Sequence, residues 1–415
     1  MSRAERLIRG ANGWWFLGPC GIARLRPGHL TVAGRLRPEA ERRLRAQGLF
    51  TAAPPRSYSL TVLTSTGCNL GCGYCFQNTG QDGRGGYRPP RIARARLRSP
   101  AISDIVSFAR RRMAEAGLDR LALLLAGGEP LLNPDGCREL LARAAGHGLA
   151  WAGLASNGTL LTPRLAGDLS ALGLRTVQVT FDGDRADHDR IRGTRSGRAT
   201  FDVVTANIAG TLGAAPLRWI LRVNVSHRNQ HGIEALIERL AGRLDPAACT
   251  MTFALVGDTG IGYRNRLSHS RDLAAVFGRW QRQALDAGFD LPRPRAHRPC
   301  QACSYPGGRY GAVVSADGTL ASCWETAGRP EWAVGTVTGG YLPREELTGR
   351  WARCAAAHQH AGGDAAVRTF QDLVDAALLD YLDASGRLSS GGPPPASRNG
   401  PSARPHPRRP PARGD

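Results

Sequence analysis

Apolar and polar positions follow two alternating periods between residues 58 and 256. Short β-branched or leucine-rich runs are followed by stretches in which apolar residues recur every three or four positions. The runs predicted as strands are 57–64, 121–125, 150–155, 176–181, 217–225 and 250–255. Six strand–helix units predict an α/β fold with a parallel sheet and right-handed crossovers, either doubly wound or curled into a barrel.

Less regular segments flank this core. Two short β-like runs and a basic helical stretch lie within residues 1–57, and residues 289–362 are rich in Gly and Pro and contain cysteines. Residues 364–384 have the apolar face of an amphipathic helix. The tail, where Gly, Pro, Ser and Arg dominate, is predicted to be disordered. The expected domain boundaries are 1–57, 58–288, 289–362, 363–387 and 388–415.

Composition and length exclude several classes of protein. The chain has 415 residues, of which 42% are hydrophobic, so it can bury a large core in two or three domains. The longest strongly apolar run, 121–126, is far too short for a membrane span, and the N-terminus lacks a secretory signal pattern. We therefore expect a cytoplasmic protein without a membrane partner. A reducing compartment also suits the ten cysteines.

The formal charge of +21 could suggest a nucleic-acid partner. All 55 basic residues are arginine, which is typical of a GC-rich coding bias, and part of the excess lies in 84–98 and 398–415. Such runs are usually solvated linkers or tails, and no RNA-recognition motif accompanies them. Nucleic acid is therefore not the expected partner, although an RNA-modifying or RNA-binding protein remains the alternative from another functional class.

Three cysteines, Cys68, Cys72 and Cys75, lie on a Gly-rich loop directly after the first predicted core strand. Three thiolates at this spacing can bind three corners of an iron–sulfur cube and leave the fourth iron open to a substrate or cofactor. Structural zinc requires four ligands, and a disulfide framework is typical of short secreted chains. The loop is therefore predicted to be a reactive iron–sulfur site.

The spacing Cys-x3-Cys-x2-Cys, with the aromatic Tyr74 before the last cysteine, resembles the radical S-adenosylmethionine (SAM) enzymes. The resemblance implies a partial (β/α)6 barrel with its chemistry at the C-terminal ends of the strands. It also implies a 4Fe-4S cluster on Cys68, Cys72 and Cys75. In such enzymes the reduced cluster cleaves SAM, and the resulting 5′-deoxyadenosyl radical removes hydrogen from the substrate.

Further motifs follow predicted strands of the core. Gly127-Gly128-Glu129 matches the family motif that binds the amino group of SAM, and the sequence around residues 179–202 resembles peptide-modifying members. The residues to which the resemblance assigns contacts with SAM are Tyr74, Gly127, Gly128, Glu129, Ser156, Asn157, Thr180 and Arg192. Considered singly, the last four could equally be turn-forming or capping residues, and Asp182 could be a buried capping carboxylate.

A second cysteine set lies in the C-terminal region. Cys303 and Cys323 flank an Asp-Gly turn in a predicted β-hairpin, and this layout resembles the start of the SPASM/Twitch extensions, which bind auxiliary iron–sulfur clusters. A full SPASM set is not present. The candidate ligands of one auxiliary cluster are Cys300, Cys303, Cys323 and Cys354. Structural zinc on the same residues, or no metal, are the alternatives.

The resemblance implies an enzyme that modifies a ribosomally synthesised peptide, with a precursor peptide and an electron donor such as flavodoxin or ferredoxin as partners. Residues 1–57 are then a candidate dock for the leader part of that peptide. Three alternatives remain: oxidation of a small molecule, oxidation of a protein side chain, and a cluster protein that binds a peptide without turnover.

Overall fold

The computed structural model of the chain describes residues 5–77, 92–257, 263–296, 300–352 and 365–388. Its strands are β1 Arg6–Gly10, β2 Gly13–Leu17, β3 Ile22–Leu25, β4 Tyr58–Ser65, β5 Leu121–Gly127, β6 Leu149–Ser156, β7 Leu174–Phe181, β8 Arg218–Val225, β9 Cys249–Leu255, β10 Gly311–Val314, β11 Thr319–Ala321, β12 Ala333–Thr336 and β13 Gly340–Tyr341. Its helices are α1 Pro38–Ala46, α2 Ser99–Ala116, α3 Pro134–Ala145, α4 Pro163–Ala171, α5 Arg185–Arg192, α6 Phe201–Thr211, α7 Ile233–Ala241, α8 Arg271–Asp286, α9 Arg344–Leu347 and α10 Ala365–Ala384.

The strands of the core follow one another in space as they do in sequence. Strands β4 to β9 are parallel, in the order β4-β5-β6-β7-β8-β9. A doubly wound sheet would reverse its strand order at a switch point, and this order never reverses. Right-handed crossovers in one continuous direction place the helices on one face, as in a barrel. The structure therefore decides between the two arrangements that the sequence left open.

The C-terminal strands continue this sheet. Strand β10 pairs parallel with β4, and β10 to β13 follow as antiparallel neighbours, which makes ten strands in one sheet of the described chain. The predicted hairpin turn at Asp317-Gly318 joins β10 to β11, and Gly318 has the positive φ of +86° that such a turn favours. The pairing of β10 with β4 was not predicted, because no local pattern encodes it.

Each core strand has one face toward the helices and one face away from them. In β7, Val177, Val179 and Phe181 are buried in the core cluster that the helices share, whereas the alternating Gln178 and Thr180 remain partly exposed. We call the side of the sheet opposite the helices the inner face. Its polar side chains at the C-terminal strand ends are the ones available to a ligand.

The chain ends pack together. Strands β1 to β3 form a separate antiparallel sheet, and α10 lies against β1 and against α8. Asp380 on α10 accepts hydrogen bonds from Trp15 Nε1 at 2.8 Å and from the backbone N–H of Ala11 at 2.6 Å. Strand β1, absent from the sequence prediction, thus joins the N-terminal sheet to the C-terminal helix.

Several predictions concern residues that the structure does not describe. Cys354, the arginines between 84 and 91, and the tail from residue 389 onward lie outside the described ranges. Within the described part of the chain, none of the helices combines the length and hydropathy that a membrane-spanning segment needs.

Candidate functional site

The cysteine loop leaves β4 at the C-terminal edge of the sheet and is bound to two other segments. Gly71 N–H donates to the Gly193 carbonyl at 3.3 Å, and Arg195 Nε donates to the Cys68 carbonyl at 2.9 Å. The loop is thus fixed to the segment that follows α5. Within the loop, the Cys75 N–H donates to the Cys72 carbonyl at 3.2 Å, which turns the chain between the two cysteines.

The three thiols of this loop lie close enough to affect one another electrostatically. Burial first, and then the neighbouring Glu129, Cys72 and Cys75, raise the pKa of Cys68 to about 12. Burial likewise raises the pKa of Cys72 to about 12, while Arg192 acts in the opposite direction. Without a metal these thiols keep their protons, so a metal centre would form with release of protons.

The donor set fits an iron–sulfur cube better than a single ion. Among the described residues, no three His, Cys, Asp or Glu side chains converge on one metal position. The ligands of a cube bind different irons and do not need to converge, and thiolates are the donors that such clusters use. Three mutually coupled thiols on one loop, without a fourth, match that requirement.

The turn after β5 lies against the start of the cysteine loop. The Gly128 N–H donates to the Ser65 carbonyl at 2.9 Å, and the Glu129 N–H donates to the Gly67 carbonyl at 2.7 Å. A Cβ at Gly127, whose φ is +149°, would lie 2.1 Å from the Ser65 carbonyl oxygen, and one at Gly128 would lie 2.4 Å from that of Gly67. Both positions therefore require glycine for backbone packing.

Glu129 is fully buried and accepts three hydrogen bonds. The donors are Ser156 Oγ at 2.8 Å, the Asn157 N–H at 2.7 Å and the Leu131 N–H at 3.0 Å. Burial raises the pKa of Glu129, and these hydrogen bonds oppose the rise by favouring the carboxylate. Glu129 thus joins the end of β5 to the end of β6, beside the cysteine loop.

Asn157 connects the end of β6 to the cysteine loop itself. Its Nδ2 donates to Asn69 Oδ1 at 2.8 Å and lies 3.8 Å from Cys68 Sγ. Asn69 Nδ2 in turn donates to Thr159 Oγ1 at 2.9 Å. The structure therefore brings together the cysteine loop, the glycine turn and both predicted residues of β6.

A second polar group fixes the other end of the loop. Tyr74 donates from its hydroxyl to Asp182 Oδ2 at 2.8 Å and accepts from Arg192 Nη1 at 2.8 Å and from Asn224 Nδ2 at 3.0 Å. Arg192 also pairs with Asp182 at 3.2 Å. Oδ1 of Asp182 and Nε of Arg192 are buried and lack a hydrogen-bond partner among the described residues. Asp182 is thus a buried ion-pair residue, and Asp182 and Arg192 each have one buried polar atom with unused hydrogen-bonding capacity.

Part of the polar group around Tyr74 and Asp182 was not predicted from the sequence. The predicted Thr180 lies on the inner face, and its hydroxyl forms no hydrogen bond with another described residue. Arg222 and Asn224, on the neighbouring strand β8, were not predicted. The signal was present: two polar residues alternate with Leu221, Val223 and Val225 in a central strand, so they occupy the inner face.

In the second cysteine set, Cys300 and Cys303 precede β10 and Cys323 follows β11. Cys303 and Cys323 are buried and Cys300 is half-buried. Trp351 Nε1 donates to the Cys303 carbonyl at 2.9 Å, and Ser322 Oγ donates to the Ala352 carbonyl at 2.9 Å. The chain therefore reaches the vicinity of Cys303 and Cys323 two residues before Cys354, which itself lies outside the described residues.

The two cysteine sets are joined through the residues that follow Cys75 and Cys323. Phe76 and Trp324 meet edge to face, with ring centroids 6.1 Å apart. Gln77 Nε2 donates to the Trp324 carbonyl at 3.4 Å, and Arg329 Nη2 donates to the Phe76 carbonyl at 3.3 Å. The C-terminal region thus forms one wall of the candidate site.

Residues 62–238 match the Radical SAM superfamily. The predicted resemblance to this family is thus confirmed over a segment that contains the cysteine loop and the glycine turn after β5. The chain is 31% identical over 190 residues to the AdoMet-dependent heme synthase of Methanosarcina barkeri. That alignment covers 46% of the chain and 48% of the relative, so the chain spans about half the length of that protein. It is also 27% identical over 312 residues to the PqqA peptide cyclase of Ruegeria pomeroyi, covering 72% of the chain and 74% of the relative.

The fold is similar to that of anSMEcpe solved with bound AdoMet. The TM-score is 0.59 at 17% identity, over 81% of this chain and 97% of that one. At this identity the likeness concerns the fold. It confirms the predicted fold class, an α/β partial barrel of the radical SAM type with a C-terminal region that contains the cysteine-bearing hairpin.

Proposed function

We propose that this protein cleaves SAM reductively and uses the product to modify a ribosomally synthesised peptide. The observation that supports this most directly is the packing of the Cys68–Cys75 loop against Glu129 and Asn157. The alignment with the PqqA peptide cyclase, over 72% of the chain, supports a peptide substrate. So does the fold likeness to anSMEcpe, which has also been solved with AdoMet and a bound peptide.

In this proposal Cys68, Cys72 and Cys75 ligate a 4Fe-4S cluster. When bound, the cluster and SAM supply one-electron chemistry that activates an otherwise unreactive carbon–hydrogen bond. Glu129 would bind the amino group of SAM, because its carboxylate is held in place by three hydrogen bonds and Oε2, which accepts only one of them, can accept another. An external electron donor such as flavodoxin or ferredoxin is part of the proposal.

The remaining proposed contacts to SAM fall into two groups. Gly127, Gly128, Ser156 and Asn157 position Glu129 and let the backbone approach the ligand closely. Tyr74, Thr180 and Arg192 lie on the other side of the loop, where the buried Nε of Arg192 lacks a partner within the described chain. These residues exclude water and orient SAM for its reaction.

We also propose one auxiliary iron–sulfur cluster on Cys300, Cys303, Cys323 and Cys354. Supporting it, Trp351 and Ala352 hydrogen-bond beside Cys303 and Cys323, and two residues of chain span at most about 7 Å. The described chain therefore ends close to Cys303 and Cys323, two residues before Cys354. Structural zinc is the second candidate for this site, although Cys300, Cys303 and Cys323 do not converge on one metal position in the structure.

The experiment that tests these assignments is to measure iron, sulfide and zinc per chain after anaerobic reconstitution. A variant with Cys68, Cys72 and Cys75 changed to Ala separates the two sites. We expect about four irons to remain in it and SAM cleavage to be lost. If this variant contains one zinc ion or no metal, the wild-type enzyme has a single iron–sulfur cluster. If the variant still cleaves SAM, the main proposal is wrong.

The substrate is tested by measuring 5′-deoxyadenosine with and without pools of synthetic peptides. Peptide-dependent formation, with a mass change in a peptide, is the expected result. A small-molecule substrate is the second candidate, favoured by the 31% identity to the AdoMet-dependent heme synthase. Formation of 5′-deoxyadenosine that no peptide pool changes would favour this candidate.

The sheet β1–β3 is a proposed dock for the leader part of the peptide, because a peptide strand can add to an open sheet edge. Strand β3 is at one edge of that sheet, and it pairs with β2 on one side. Peptide cross-linking to residues 22–25 is the expected result, and cross-links confined to the core would contradict the dock.

A further inference from the structure

Three polar residues form a row across the inner face of the sheet. Arg222 on β8 lies in register with Thr180 on β7 and with Thr252 on β9. All three side chains are partly exposed and alternate with residues that face the helices, such as Leu221. They therefore point to the same side of the sheet, at one level below the strand ends.

The guanidinium of Arg222 has N–H groups that form no hydrogen bond within the described chain. Its Nε donates to Asn224 Oδ1 at 2.9 Å, and it forms no other hydrogen bond and no ion pair with any residue in the described ranges. Asp182, the carboxylate that directly follows β7, forms an ion pair with Arg192 and accepts a hydrogen bond from Tyr74. A guanidinium has five N–H donors, so four face the space above the inner face.

Nearby carboxylates act on the charge of Arg222, but none of the described ones forms an ion pair with it. Burial lowers the pKa of Arg222, while the charges of Tyr74, Asp182 and Glu325 act in the opposite direction. Charged side chains that are largely removed from water are normally paired. Thr252 adds a hydroxyl beside the guanidinium, and a planar fork of N–H donors matches the two oxygens of a carboxylate.

We propose that Arg222 and Thr252 form a subsite for a carboxylate of the substrate, which for a peptide is an Asp or Glu side chain or the C-terminus. This inference deepens the proposed function and rests on it, since it assumes a second reactant beside SAM.

SAM also has a carboxylate, but its proposed binding residue Glu129 and the subsite at Arg222 belong to strands that are not neighbours in the sheet. Its carboxylate and amino groups are attached to the same carbon, and the proposed partner of the amino group, Glu129, follows β5. Strand β8 is three strands away from β5, which corresponds to about 14 Å at the usual strand spacing. We therefore assign the anion at Arg222 to the other reactant, and the affinity of an Arg222 variant for SAM tests this assignment.

The test uses the full chain, reconstituted with iron and sulfide and saturated with SAM. The probes are N-acetyl-glutamate N-methylamide and the aspartate analogue, each compared with its uncharged glutamine or asparagine counterpart. The variant is Arg222→Gln. Its matched control is Arg218→Gln, at the exposed first residue of the same strand. Arg222→Lys keeps the charge and provides a second variant should the glutamine variant fold poorly.

We expect the acids to bind at least about tenfold more tightly than the amides in the wild type and in Arg218→Gln, as for a charge-assisted hydrogen bond. The preference should disappear in Arg222→Gln and persist in part in Arg222→Lys. The affinity for SAM, measured by equilibrium dialysis, should not change in Arg222→Gln.

Two results would overturn the inference. If the wild type does not prefer the acids, or if the preference survives in Arg222→Gln, then Arg222 binds no carboxylate. If Arg222→Gln loses affinity for SAM, the anion is the carboxylate of SAM. After a chemical reductant such as dithionite is added to the same samples, formation of 5′-deoxyadenosine reports on the proposed function separately. An acid preference without SAM cleavage under these reducing conditions would refute that function and leave the subsite.

Discussion

The Tyr74 hydroxyl donates a 2.8 Å hydrogen bond to Oδ2 of Asp182, a residue 108 positions later in the chain. Tyr74 lies between Cys72 and Cys75, and Asp182 follows directly after β7, so this bond joins the cysteine loop to the sheet. The same hydroxyl accepts from Arg192 and Asn224 and is thereby fully satisfied. The position of the loop thus depends on three segments that are remote in sequence.

Replacing Tyr74 by Phe should destabilise the protein by about 1–3 kcal/mol, because buried polar groups lose a partner while the ring is kept. Denaturant unfolding of the metal-free chain measures this effect. The matched control is Tyr305→Phe, whose ring packs against Tyr310 outside this group of residues. Equal unfolding free energies for Tyr74→Phe and the wild type would show that the hydroxyl does not stabilise the loop.

Replacing Glu129 by Gln should weaken SAM binding at least about tenfold and lower stability by about 1–3 kcal/mol. The amide nitrogen would face N–H donors where the carboxylate now accepts from Asn157 and Leu131. Iron content after reconstitution should be unchanged. Glu139→Gln, at a carboxylate on α3 that accepts from Ser99 at the surface, is the control. Loss of iron together with SAM binding would instead make Glu129 a structural residue.

His188 should make the stability depend on pH below about 6.5. Burial, with a smaller effect of Arg192, keeps the pKa of His188 well below 6.5 in the folded state. The unfolded chain therefore binds a proton that the folded chain does not, and stability falls as the pH is lowered through 6.5, by up to about 1.4 kcal/mol per pH unit.

His188→Asn removes this titration and keeps an acceptor for the Asp182 N–H, which lies 3.4 Å from His188 Nδ1. Between pH 7.5 and 5.5 this variant should lose less unfolding free energy than the wild type. His231→Asn, at an exposed imidazole, should behave as the wild type does. Parallel pH profiles for His188→Asn and the wild type would contradict the prediction.

Asp380 should contribute more to the packing of the chain ends than Asp383, one turn further along α10. Asp380→Ala leaves Trp15 Nε1 and the Ala11 N–H without their acceptor, at a cost of about 1–3 kcal/mol. Asp383→Ala removes a largely exposed pair with Arg24, which is worth about 0–1 kcal/mol. Unfolding and proteolysis of residues 5–57 measure both, and similar effects for the two variants would refute the distinction.

The elements that local periodicity encodes were predicted closely. The predicted strand 250–255 is Cys249–Leu255 in the structure, and the helix predicted at 364–384 is Ala365–Ala384. Helix α5 was missed as an element because its eight residues, mostly charged, show little apolar periodicity. The pairing of β10 with β4 was missed for a different reason, since more than two hundred residues separate the two strands.

The sequence by itself predicted an iron–sulfur site on the cysteine loop and determined the α/β class of the fold, because ligand spacing and apolar periodicity are local properties of the chain. Only the tertiary structure decided that Glu129 accepts from Ser156 and Asn157, and that Arg222 lies at the inner face without an ion pair to any described residue. Such relationships depend on strand order and register. These follow from burying the apolar faces of all strands and helices together, and no single segment specifies them.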